Sequence, residues 1–288
     1  MSAAAPDRRS EAPPAPEPLP HPVVDNHCHL DITRDGAEAV DVPQALAAAA
    51  AVGVPRIVQI GCDLRGARWA VEAARQHDAI VAGVALHPNE APRLAEQGLL
   101  EDALVEIEEL AAAHPDVRAV GETGLDFFRT GPEGVAAQRE SFARHIDIAR
   151  RLDRTLVIHD RDSHDAVLEV LDAEGVPERW VMHCFSGDAA FARACLDRGA
   201  YLSFAGTVTF KNAEPLREAL RVAPRDRVLV ETDAPYLTPA PHRGRPNASY
   251  LVPLTVRTMA QVRGDDLGEL CAAIEASTYA AFGGRWDA

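Results

Sequence analysis

Thr155-Leu156-Val157-Ile158-His159, then a helical pattern from Ser163 to Gly175, then Trp180-Val181-Met182-His183, is the stretch that decides the fold. A short apolar run rich in β-branched residues suits a strand buried on both faces. Ser163 is placed as an N-cap, Val167, Leu168 and Leu171 recur on one helical face, and Gly175 stands where a C-terminal cap belongs. The same alternation runs outward in both directions. Apolar runs fall at residues 23–24, 56–60, 80–84, 117–120, 155–158, 180–182, 200–204 and 227–230, with amphipathic stretches between them. In residues 134–152, for example, Val135, Phe142, Ile146, Ala149 and Leu152 share a face. Eight strand–helix units of about 33 residues predict an α/β chain closing as a (β/α)8 TIM-like barrel over residues 23–288, a single domain. A doubly wound open sheet is the competitor, but no G-x-G-x-x-G follows the first strand.

Residues 1–22 stand apart. Seven of them are proline and no apolar period is visible, so the stretch is expected to be a disordered tail. No run has the 18 or so uninterrupted apolar residues of a membrane span, and no targeting peptide is legible. Five cysteines, an odd number without a close pair, suit reduced thiols and a cytoplasmic, soluble protein, with a monomer as the default. The net charge is −15 and Lys211 is the only lysine, which excludes gripping nucleic acid through a broad basic surface. A phosphate-bearing substrate would have to be held locally, by cations and a few arginines in a cleft.

His27 and His29 flank Cys28 at the end of the first strand, so side-chain alternation points both imidazoles one way and the thiol the other. Glu122, His159, His183 and Asp233 each lie at or just past the end of a different later strand, where barrel active sites are built. Singly, each is as well explained as a turn-capping or hydrogen-bonded residue. Together they make a donor set of imidazoles and carboxylates that suits zinc, manganese or magnesium. Six donors are too many for one tetrahedral ion, and a two-metal site with a shared carboxylate fits the count.

Five segments, His27-Cys28-His29-Leu30-Asp31, Gly121-Glu122-Thr123-Gly124-Leu125-Asp126-Phe127, Ile158-His159-Asp160-Arg161, His183-Cys184-Phe185-Ser186-Gly187 and Glu231-Thr232-Asp233-Ala234-Pro235-Tyr236-Leu237, resemble the signatures of the TatD-type metal-dependent deoxyribonucleases, a family of the amidohydrolase-like barrels. The resemblance covers about residues 23–285. It implies one metal held by His27, His29 and Asp233, a second by His159 and His183, Glu122 bridging both, and hydrolysis of DNA phosphodiesters. Within Val84-Ala85-Leu86-His87-Pro88, His87 matches a His-Pro motif of the family that would face the scissile phosphate, and Arg161, two residues past His159, is placed to point into the same mouth. Arg243 and Asn247 survive from a family stretch that binds substrate, whereas the Glu-Pro pair expected there is Ala248-Ser249.

The expected chemistry is attack on phosphorus by a water activated between two dications, with Asp233 as the base and Glu122 as the shared ligand. Dications concentrated in a cleft matter more to a phosphate than diffuse negative charge beyond the Debye length. The global charge then favours single strands or accessible DNA ends over long duplex. The same activated water serves a deacylase or esterase acting on aminoacyl-tRNA or another small ester. A non-catalytic binding protein stapled by its metals is the remaining alternative.

Overall fold

The computed structural model describes residues 11–33, 39–284 and 286. Its strands are β1 (Val24–Cys28), β2 (Arg56–Gly61), β3 (Ile80–Val84), β4 (Val117–Asp126), β5 (Thr155–Arg161), β6 (Trp180–Met182), β7 (Tyr201–Phe204) and β8 (Val228–Val230). They pair side by side in sequence order, every pair parallel. The first helices are α1 (Val42–Ala50), α2 (Leu64–Gln76), α3 (Glu90–Glu96), α4 (Leu100–Ala112) and α5 (Val135–Arg151). They are followed by α6 (His164–Glu174), α7 (Ala189–Leu196), α8 (Glu214–Val222), α9 (Val252–Arg263) and α10 (Leu267–Ala281). A strand order without reversal excludes the doubly wound sheet. The ring is shut by the segment after β8: the Asp233 amide donates to the His27 carbonyl (2.9 Å), the His29 amide to Ala234 (2.8 Å), and Cys28 bridges Ala234.

Alternate residues of each strand serve different layers. Val58, Ile60, Val81, Ala119, Val157, Val181 and Leu229 fill the barrel interior, while Ile57, Ala82, Val120, Leu156 and Ile158 pack outward beneath the helices. This two-sided burial, about 1.5–3 kcal/mol for each large aliphatic side chain, explains why the strands read as unbroken apolar runs. The end where the strands begin is plugged by Ala281, Phe282 and Trp286, which join the interior cluster. All five cysteines are free, and no described helix is long and apolar enough to cross a membrane.

Three expectations are corrected. β4 and β5 remain paired through Asp126 and Arg161, so Glu122 and His159 sit within strands rather than beyond their ends. The apolar signal stops earlier because the upper strand residues are polar and face the mouth. Ser163 takes the N-cap position of α6 without capping it: its hydroxyl donates to the Leu125 carbonyl (2.9 Å) and Asp160 (2.7 Å). Of the proline-rich stretch read as a tail, residues 1–10 lie outside the described residues, and residues 11–22 pack on the barrel. Leu19 is buried and its amide donates to Val52, Tyr250 donates to the Pro13 carbonyl, and Arg257 donates to Pro18. Proline restricts the unfolded chain in advance, and the exposed carbonyls of an extended proline-rich backbone are acceptors for such donors.

Candidate metal centre

The site begins where β1 meets the segment after β8. Asp25 accepts from the Thr232 amide (2.8 Å) and hydroxyl (2.6 Å), clamping that segment against the strand. Burial pushes the Asp25 carboxyl up to about 6, against those hydrogen bonds. One residue on, Asp233 adopts the left-handed region at φ 55°, which aspartate tolerates better than most residues. Its carboxylate then lies 3.3 Å from His29 Nε2 and 3.9 Å from His27 Nε2. The Nδ1 of His29 donates to the Ile60 carbonyl (3.0 Å), which presents Nε2 to the mouth. Cys28 points away, its thiol toward the Val58 carbonyl, as strand alternation requires.

The second half comes from β4, β5 and the residue after β6. The β4–β5 register shifts between Val120 and Thr123, a bulge that re-aims Glu122 toward the interior. Gly124 follows at φ 138°, where a Cβ would lie 2.1 Å from the His159 carbonyl oxygen, so the two strands approach this closely only with glycine there. Glu122 thereby becomes the hub. Its Oε1 lies 3.7 Å from Nε2 of both His27 and His29, while its Oε2 lies 3.1 Å from His159 Nδ1 and 3.0 Å from His183 Nε2. The two oxygens of one carboxylate thus face two different sets of donors. His27 and His183 stack at 3.7 Å between ring centroids, joining the sets.

The electrostatics follow from packing five imidazoles around few carboxylates. Burial, then the neighbouring His183 charge, pushes His27 down to about 4. Burial pushes His87 down to about 3. Burial acts against the charge of His29 and His183 as well, but Asp233 and Glu122 hold His29 up at about 9, and Glu231 and Glu122 hold His183 well above its ordinary value. Glu122 stays well below the usual carboxylate range despite burial, because the His183 charge and the hydrogen bonds from His159 and His183 favour its ionised form. Nε2 of His27, which faces Glu122 and Asp233, is buried without a hydrogen-bond partner, a costly state that a cation held between them would relieve. With His27, His29 and Asp233 forming one compact donor group and Glu122 shared among the others, the residues fit divalent metal ions.

All six residues predicted as ligands converge at the top of the barrel, and all but buried His27 line a cleft of about 520 Å³. His87 and Arg161 line it too; Arg161 lies over the Phe128 ring at 3.9 Å. Arg243 and Asn247 do not. Arg243 lies over Phe210 at 3.9 Å, and the Asn247 amide donates to the Thr232 (2.9 Å) and Tyr236 (2.5 Å) carbonyls, bracing the loop that carries Asp233. Sequence reasoning assigned no role to three further residues. Glu231 accepts from His183 Nδ1 (3.0 Å), Asp126 lies 3.5 Å from His159 Nε2, and the Cys62 thiol donates to Glu122 Oε1 at 3.2 Å. Glu231 and Asp126 stand inside the quoted motifs, which was their only signal. Cys62 had none.

Comparison with known proteins places this arrangement. A sequence model described as TatD-related DNase matches residues 24–283. The chain is 45% identical over 269 residues to an uncharacterized metal-dependent hydrolase TatD of Mycobacterium tuberculosis, covering 92% of this chain and 99% of the relative. It is 33% identical to a protein of Shigella flexneri named 3'-5' ssDNA/RNA exonuclease TatD, covering 85% of this chain and 94% of that one. The crystal structure of YjjV, a TatD homologue from Escherichia coli, superposes with a TM-score of 0.83 at 25% identity, covering 91% and 98% of the two chains. A match of this extent, on a barrel whose mouth gathers imidazoles and carboxylates around Glu122, leaves one assignment: the chain is a metal-dependent hydrolase and belongs to the TatD-related DNase family.

Proposed function

We propose that the chain hydrolyses DNA phosphodiester bonds with two divalent cations, acting on single strands or accessible ends. The observation that carries this reading is the division of Glu122, with Oε1 toward His27 and His29 and Oε2 toward His159 and His183. His27, His29 and Asp233 would hold one ion, His159 and His183 the other, and Glu122 both. Bound there, such ions supply Lewis acidity for a phosphoryl oxygen and lower the pKa of water toward neutrality. The S. flexneri relative bears the name of a single-strand exonuclease, which supports the substrate class.

The remaining roles fall to the chain's own groups. Asp233 lines the cleft, and as a carboxylate at its wall it accepts the proton of the attacking water. His87 is held neutral, and its Nδ1 accepts from the Asn89 amide (3.1 Å). Nε2 therefore carries the proton and donates to a phosphate oxygen. Arg161 adds a fixed positive charge in the same cleft. Tyr236, 41% exposed, lines the cleft, and Phe128, 63% exposed, lies against Arg161 beside it, both as stacking surfaces for unpaired bases. With a chain charge of −15, a long duplex backbone is disfavoured over a short segment held at this mouth.

The test is metal analysis of the purified protein, followed by incubation with end-labelled single-stranded, duplex and nicked DNA with magnesium, manganese or zinc. Shortened single strands, abolished by chelation and by Glu122→Ala, are the expected result. Hydrolysis of aminoacyl-tRNA or simple esters with every nucleic acid left intact would overturn the substrate assignment.

A further inference from the structure

At the opposite end of the barrel, five consecutive strands each contribute one side chain to a second cavity, of about 660 Å³. Arg118 comes from the start of β4, Arg154 and Arg179 from the residues just before β5 and β6, Tyr201 from the first position of β7, and Arg227 from just before β8. Asp153 and Glu178 are the carboxylates on the same wall. Among the described residues, four guanidinium groups against two carboxylates leave an excess of two positive charges, in a chain that is otherwise strongly acidic.

The arginines are not accounted for by ion pairing. Arg179 pairs with Asp153 at 2.8 Å. Among the described residues no carboxylate pairs with the other three, which donate only to backbone: Arg118 to Gly283 (2.9 Å), Arg154 to Ala111 (3.3 Å) and Arg227 to Gly199 (3.2 Å). The Nε atoms of Arg118 and Arg179 are buried without any partner. Burial and the charges of Arg118 and Arg179 destabilise the charged form of Arg154. Like charges gathered in a half-buried hollow, with donors left over, oppose folding unless something negative joins them. Arg227 also packs over the Tyr201 ring at 4.7 Å, which holds its donors in place.

We infer that this hollow at the N-terminal end of the barrel binds a phosphate-class dianion, either free phosphate or the terminal phosphate of a nucleotide. The excess of two charges sets the valence, and fork-shaped guanidinium donors suit tetrahedral oxyanions. The barrel's whole length separates the hollow from the metal centre, and the inference does not depend on the proposed nuclease activity.

Titration calorimetry on the full-length, metal-loaded protein tests it, with inorganic phosphate and a nucleoside 5′-monophosphate as separate probes. In Arg154→Gln/Arg227→Gln, one phosphate site is expected to weaken about ten- to a hundred-fold or vanish, with metal content unchanged. Arg154→Lys, which keeps the charge and the fold, is expected to weaken it less. Tighter binding of the nucleotide would identify a terminal phosphate as the ligand, and equal binding would identify the free ion. Phosphate binding identical in wild type and the double variant would overturn the inference.

Discussion

Replacing Glu231 with glutamine removes one charge behind the metal centre while leaving its shape. Glu231 is fully buried and accepts three hydrogen bonds, from His183 Nδ1 (3.0 Å), the Cys184 amide (3.0 Å) and Ser203 Oγ (2.5 Å). The glutamine oxygen can keep the first two. Its NH2 faces Ser203, whose hydroxyl already accepts from Asn26 (2.9 Å) and must redirect its own proton. Converting charge-assisted bonds to neutral ones and displacing that proton costs about 1–3 kcal/mol of stability. In a domain of this size each kcal/mol lowers the Tm by about 2–4 °C. The larger effect falls on the metal. A carboxylate on Nδ1 orients the imidazole and makes Nε2 a better ligand, and losing such support weakens binding about ten- to a hundred-fold. Competition against a fluorescent chelator reads the affinity, and a denaturant melt reads the fold. Metal binding as tight as wild type in a folded E231Q protein would refute this account of His183.

Three further outcomes are expected. His145 is buried with Nδ1 donating to the Ser141 carbonyl (2.6 Å) and Nε2 accepting from Leu86 (3.1 Å), and burial pushes it down to about 4. Because the folded value lies below the unfolded value near 6.5, its contribution is present above pH 6.5 and lost as pH falls through 4, by up to about 3 kcal/mol. His145→Gln is therefore less stable at pH 7 but flatter between pH 6.5 and 4, as paired denaturant melts would show. Gly124→Ala places a methyl 2.1 Å from the His159 carbonyl at a φ few non-glycine residues adopt, and should lose more than about 2 kcal/mol in the same assay. Asn247→Ala removes both hydrogen bonds that brace the Asp233 loop, so metal affinity should fall more than tenfold with only about 1–2 kcal/mol of stability lost; an unchanged affinity would show that Asp233 is held without it.

Much of this was legible in the linear chain. All eight strands stand where β-branched runs predict them, since a strand packed on both faces needs apolar residues at every position, and that demand is local. His27 and His29 share a face for an equally local reason, the two-residue period of a strand. The reading faltered where the code is not local. The upper halves of β4 and β5 are polar because they face the mouth, so Glu122 and His159 looked like loop residues although they lie in a ladder reaching Asp126 and Arg161. Residues 11–22 lack any apolar period, yet they are tied down by Tyr250 and Arg257, over 200 residues away. Asn247 carried a motif-like position but turned inward to brace a loop.

Only the tertiary structure decided which oxygen of Glu122 meets which imidazole, that Glu231 stands behind His183, and that four arginines from separate strands share one hollow. Helical and strand periods constrain neighbours a few positions apart. Closing a barrel brings together residues from every unit of the chain, and the angles and distances at which they meet are set by register, bulges and backbone approach, none of which a residue can report about itself.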